Sequence, residues 1–114
     1  MTISCEDVGA DMRRIIIAGR LDVGGVKIMA PELADLIATP RKQVIIDLTA
    51  LELLTSIGIR ALIESAKVVR MRGGKVAMVV HPSSFVSTSL VTTGIDKLIP
   101  IFKSLAEAQQ AVQS

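Results

Sequence analysis

The sequence is short of the residues that most chemistry needs. Its 114 residues hold one cysteine, Cys5, and one histidine, His81. A lone cysteine cannot pair within the chain, so a disulfide scaffold is excluded. One histidine and one cysteine far apart give no zinc or haem site, and no metal or other cofactor is expected. Aromatics are almost absent, with two Phe and no Trp or Tyr. Single-stranded nucleic acid is bound by stacking bases on aromatic rings, so that class is disfavoured. Every apolar run is cut by a charge, a glycine or a proline before the roughly 20 residues that a membrane span needs. Neither membrane insertion nor a secretory signal at Met1–Ala10 is expected, which makes the cytoplasm the expected compartment. The charges, 13 basic against 11 acidic, are interspersed along the chain. A Lys/Arg patch for duplex binding has nothing in the sequence to concentrate it, and no nucleic-acid partner is expected.

What the chain has is apolar material. Half of it is hydrophobic and the mean hydropathy is +0.54. That is enough for one core, so residues 1–114 read as one domain. Thr2–Val8 reads as an edge strand, with Gly9-Ala10-Asp11 as a hairpin turn into a strand at Arg13–Ala18. Gly19-Arg20-Leu21-Asp22 reads as a turn-like exit. Gly24 to Ala38 has helical spacing, with a start or a kink at Pro31. Val44–Leu48 and Lys75–Val80 are near-continuous β-branched and apolar runs, as central strands buried on both faces require. Ile57–Arg72 is the strongest helix, with Ile59, Leu62, Ile63, Ala66 and Val69 on one face and Gly73-Gly74 as its stop. Ser83 begins a short helix to about Thr93, Leu98–Phe102 is extended, and Ser104 and Glu107 form a capping box for a last helix. The order β-β-α-β-α-β-α-β-α predicts an α/β fold with a mixed sheet.

Enzyme signatures are missing: no G-x-S-x-G, Walker or G-x-G-x-x-G pattern occurs. His81 follows a strand but has no partner nucleophile or carboxylate in the sequence, and reads as a solvated loop histidine. The hydroxyl-rich run from Ser83 to Thr93 reads as cap and polar-face residues. The informative segment is Thr55-Ser56-Ile57-Gly58. Thr55 or Ser56 caps the helix that follows. Gly58, one turn in, lowers helix stability by about 1 kcal/mol against Ala and so implies that something approaches the backbone closely there, a partner surface or a phosphate. A cap alone and a cap that is also a binding site both fit.

Four segments in order carry a resemblance. Gly19-Arg20-Leu21-Asp22, Val44–Leu48, Thr55-Ser56-Ile57-Gly58 and Gly94–Phe102 are similar to the ordered signatures of the STAS domain, the family of sulfate-transporter C-terminal domains and bacterial anti-sigma factor antagonists. The resemblance covers nearly the whole chain. It implies a mixed sheet with helices mainly on one face. It also implies a non-enzymatic regulatory module that binds an anti-sigma factor serine kinase, with a histidine-kinase-like ATPase fold, and releases the sigma factor. A cognate phosphatase would complete the cycle. Carried over, Ser56 is the phosphoacceptor, with Thr55 as the alternative, because Thr55 stands where the family's D-S-x-G has Asp. Asp22, Thr55, Ser56, Ile57, Gly58 and Arg60 are the expected partner-binding residues. A scaffold or transporter-associated subunit without a phosphoryl switch, and a nucleotide-binding protein, are the competing functions.

Overall fold

The computed structural model describes residues 1–113. Strand β1, Thr2–Val8, pairs antiparallel with β2, Met12–Leu21, so that Cys5 lies opposite Ile15 and Val8 opposite Met12. Helix α1, Val23–Ile37, crosses to β3, Gln43–Asp47, which runs parallel to β2. A further strand, β4, Leu51–Leu54, leads into α2, Ser56–Met71, and α2 leads into β5, Lys75–Val79. After α3, Phe85–Thr93, and a 3-10 turn at Ile95–Lys97 come β6, Ile101–Phe102, and α4, Leu105–Gln113. The sheet order is β1-β2-β3-β5-β6, with β3 and β5 central, and β4 pairs with β2.

The core is divided by the sheet. On one face, Ile15, Ile17, Val44, Ile46, Val76 and Met78 meet the apolar stripes of α1, α2 and α3. On the other, Met12, Ile45, Ala77 and Val79 are covered by Ala108 and Val112 of α4. The mixed sheet with helices mainly on one face is therefore the observed architecture.

Four local expectations need correcting. Gly19-Arg20-Leu21 is not an exit turn. Strand β2 runs on through it, with a register shift at Gly19/Arg20, and pairs there with β4. Strand β4 itself was not foreseen, because four residues with one exposed Glu52 carry too little pattern to separate a strand from a loop. Helix α1 does not begin at Pro31; it begins at Val23 and continues through the proline. Val26, Met29, Leu33 and Ile37 are buried on both sides of Pro31, and their burial outweighs one lost backbone hydrogen bond. The cap of α3 is Ser84, which accepts from Ser87 N, rather than Ser83. Ser83 turns instead to His81, its Oγ 3.0 Å from Nδ1. The expected helical terminus at Gly73-Gly74 is present, with Gly74 N donating to Val69 O and Gly73 N to Arg70 O.

One charged group is built into the sheet. Asp47 is 2 % exposed. Its Oδ1 accepts from Thr49 N and Thr49 Oγ1 at 2.9 and 2.7 Å. Its Oδ2 accepts from Arg14 Nε and Nη2 at 3.0 and 2.6 Å. Burial alone would raise the Asp47 pKa, but the Thr49 and Arg14 hydrogen bonds and the Arg14 charge outweigh it and hold the carboxyl below its usual 3.8. A depressed folded-state pKa contributes stability that is present above 3.8 and is lost as pH falls through the lower folded value. Asp47→Asn is expected to cost about 2 kcal/mol at neutral pH. Urea unfolding across pH should show the gap to wild type closing only below pH 3.8.

Candidate functional site

The carboxyl ends of β2 and β4 meet at one carbonyl. Leu21 O accepts from Thr55 N at 3.3 Å and from Thr55 Oγ1 at 2.6 Å. The next residue after Leu21, Asp22, is the N-cap of α1, and its Oδ1 accepts from Gly25 N at 2.8 Å. Thr55 is the N-cap of α2, with Oγ1 accepting from Gly58 N at 3.4 Å. Two helix N-termini are thus fastened side by side. Each carries free first-turn N–H groups and the positive end of a helix dipole. Neither helix has an acidic residue in its first turn, and Asp22 is the carboxylate that caps one of the two starts.

Of the two candidate caps, Thr55 is the one used. Its hydroxyl donates to one group and accepts from another, and the residue is half-buried. Ser56 is the first residue of α2, is exposed, and makes no hydrogen bond through its hydroxyl among the described residues. Ile57, 45 % exposed, and Arg60 lie on the same outward side of the helix start, and Asp22 is exposed beside it. These residues share one surface.

Gly58 does not. It is buried, and a Cβ there would come within 2.9 Å of Leu54 Cδ1 and 3.1 Å of Leu21 Cβ. The expected approach of a partner surface or a phosphate at Gly58 is therefore corrected: the atoms close to it belong to the protein's own β2 and β4. The tighter constraint is at Gly25, where a Cβ would sit 2.2 Å from Arg20 O. Ile59 is likewise turned into the core.

Sequence reasoning missed Leu21. A carbonyl that gathers two donors from a residue 34 positions away leaves no trace in a side-chain pattern. It also missed Phe85, 89 % exposed at the first turn of α3, where only the scarcity of aromatics marks it. His81 is exposed, as a solvated loop residue should be. Its carbonyl holds Ser84 through both Ser84 N and Oγ, at 3.1 and 2.7 Å. Among the described residues no group of three His, Cys, Asp or Glu could hold a metal ion, and no helix is long and apolar enough to cross a membrane.

The two glycines give an internal comparison. Gly25→Ala meets a backbone carbonyl and should destabilise by about 3 kcal/mol. Gly58→Ala meets a movable Leu54 methyl and the less movable Leu21 Cβ, against a gain of about 1 kcal/mol of helix propensity, so its net effect should be within about 1 kcal/mol of wild type. Chemical denaturation of both variants reads the difference directly.

No curated protein matches the sequence significantly. Among solved structures, an anti-sigma factor antagonist from Mycobacterium paratuberculosis superposes with a TM-score of 0.88 at 24 % identity, covering 99 % of this chain and 94 % of that one. A STAS-domain anti-sigma-factor antagonist from Planctomyces limnophilus gives 0.82 at 23 %, covering 96 % of each. The phosphorylated form of the Bacillus cell fate determinant SpoIIAA gives 0.69 at 17 %, covering 97 % of this chain and 99 % of that one. At these identities the likeness is one of fold. The sequence itself matches the STAS domain model over residues 11–108, and the chain belongs to the STAS domain family.

Proposed function

We propose that this protein is an anti-sigma factor antagonist, a regulatory binding module switched at Ser56. Its unphosphorylated form binds an anti-sigma factor serine kinase and frees the sigma factor; a phosphatase resets the phosphorylated form. The observation that carries the reading is the division of labour between two neighbouring hydroxyls. Thr55 Oγ1 is committed to Leu21 O and Gly58 N, whereas Ser56 is exposed and uncommitted at the first position of α2. This favours Ser56 over Thr55 as acceptor. The kinase would move the γ-phosphoryl group of ATP to Ser56 Oγ: the new O–P bond replaces the hydroxyl O–H, the bond to the β-phosphate oxygen breaks, and ADP and a proton leave.

The fold tolerates such a phosphate. At a helix N-terminus a negative charge gains about 0.3–1 kcal/mol when exposed. The same group adds nearly two negative charges to the surface formed by Asp22, Ile57 and Arg60. Binding changes while folding does not. Thr55 also accounts for the departure from D-S-x-G in this chain. An ionised Asp could cap Gly58 N, but it could not donate to Leu21 O as the Thr55 hydroxyl does at 2.6 Å.

The alternative reading, a STAS scaffold or transporter-associated subunit with no phosphoryl switch, draws on that same substitution at position 55. Labelling by the cognate kinase, with mass spectrometry of the phosphosite, separates the two. Wild type and Thr55→Ser should incorporate one phosphate at Ser56, and Ser56→Ala none. Equal labelling of Ser56→Ala would move the acceptor to another residue, and no labelling of wild type favours the scaffold. Ser56→Asp should unfold within about 1 kcal/mol of wild type yet bind the kinase more weakly.

A further inference from the structure

Four of the interspersed cations of the sequence, Arg13, Arg41, Lys42 and Arg72, are gathered by the fold. The crossover helices α1 and α2 end near the starts of β3 and β5, at the pole opposite Ser56. Three guanidinium groups converge there. Arg13 uses its Nε and Nη2 on Asp7, at 2.7 and 3.1 Å, and gives Nη1 to Leu36 O at 3.0 Å. Arg72 gives Nη1 to Ile37 O and Nη2 to Arg41 O, the latter at 3.0 Å. Arg41 has a single long ion pair, Nη2 to Asp7 Oδ2 at 3.5 Å. Lys42 follows, exposed.

Two features of this cluster are not explained by capping helix ends. The first is its charge. Asp7 is the one carboxylate in these contacts, and the negative ends of α1 and α2 supply about half a charge each. Three arginines and a lysine exceed that sum. The second is unused donors: Nε of Arg41 and Nε of Arg72 are buried and have no acceptor among the described residues. Nε and the adjacent Nη form the edge with which arginine grips an oxyanion in bidentate fashion. Arg13 spends that edge on Asp7, while Arg41 and Arg72 leave theirs incomplete.

We infer that Arg41 and Arg72, with Lys42 at the rim and Arg13 adding charge from its place on Asp7, form a binding site for a phosphate group. A tetrahedral oxyanion offers several acceptor oxygens at once and supplies the missing negative charge. Access is through Arg41, whose side chain is 25 % exposed and held only by its 3.5 Å pair, so that rotating it turns Nε outward. With two aromatics in the chain there is no platform for a base, and recognition rests on the phosphate itself. The phosphate comes either from a soluble phosphate or from a phospholipid headgroup. The site is independent of the switch proposed at Ser56.

The full chain tests this in two arms. In the first, thermal unfolding is followed during titration with sodium phosphate and, at matched ionic strength, sodium chloride. Wild type should show a saturable, phosphate-specific rise in Tm, with the apparent affinity of Arg41→Gln weakened about tenfold or more. Lys42→Gln should change it less, because it removes charge without removing the fork. In the second arm, vesicles of phosphatidylglycerol and of phosphatidylcholine are sedimented with both proteins. Arg41-dependent retention on phosphatidylglycerol, without a response to free phosphate, assigns the headgroup as the source. Equal effects of chloride and phosphate together with no Arg41-dependent retention, or equal behaviour of wild type and Arg41→Gln in both arms, overturn the site.

Discussion

Leu21 O accepts two hydrogen bonds from one residue, Thr55 N and Thr55 Oγ1. That carbonyl joins the end of β2 to the start of α2, and Asp22, the next residue, starts α1. If it lost its donors, the start of α2 would lose its tie to the strand from which α1 leaves. The tie is only possible because β2 runs past the end of β3 and pairs with β4 through Gly19–Leu21. It is also why Gly58 is closely packed: the first turn of α2 is drawn down onto Leu21 and Leu54, and a Cβ there requires the Leu54 methyl to move. The exposed Ser56 is then held in place by buried neighbours and is itself free of structural duties.

The two poles of the domain follow from the same geometry. Crossover helices between parallel strands run back against the strand direction. Their N-termini therefore collect at the carboxyl ends of β2 and β4, and the C-termini of α1 and α2 collect at the other end. At the first pole unpaired N–H groups are offered, and hydroxyl and carboxylate caps answer them: Asp22 and Thr55. At the second pole carbonyls are offered, and arginines answer: Arg13 to Leu36 O and Arg72 to Ile37 O. One pole suits a hydroxyl that gains a phosphate. The other holds more guanidinium than its carbonyls and Asp7 use.

Belonging to the STAS family fixes the scaffold more firmly than the mechanism. The fold brings together Asp22, Ser56, Ile57 and Arg60 on one exposed surface, and turns Gly58 and Ile59 inward. A motif read along the chain treats Ser56, Ile57, Gly58, Ile59 and Arg60 as neighbours and leaves Asp22 apart. The three-dimensional arrangement sorts them into residues that a partner can touch and residues that support those. Thr55 belongs to the second group by its hydrogen bonds, although its residue type fits the first.

Local and periodic features were legible in the sequence. Runs of β-branched residues at Val44–Leu48 and Lys75–Val80 can bury both faces only as central strands, and the stripe from Ile59 to Val69 can bury only one face of a helix. Those choices depend on side chains spaced 2 or 3.6 residues apart, which a linear reading captures. The strand β4, the uninterrupted passage of α1 through Pro31 and the choice of Thr55 over Ser56 as cap were decided by tertiary structure. Each turns on a partner distant in the chain: Gly19–Leu21 for β4, a core on both sides of Pro31, and Leu21 O for Thr55. The cations read as interspersed for the same reason. Arg13, Arg41 and Arg72 are far apart in sequence, and the carbonyls and the carboxylate that draw them to one pole exist as a group only once α1, α2 and β1 have packed together.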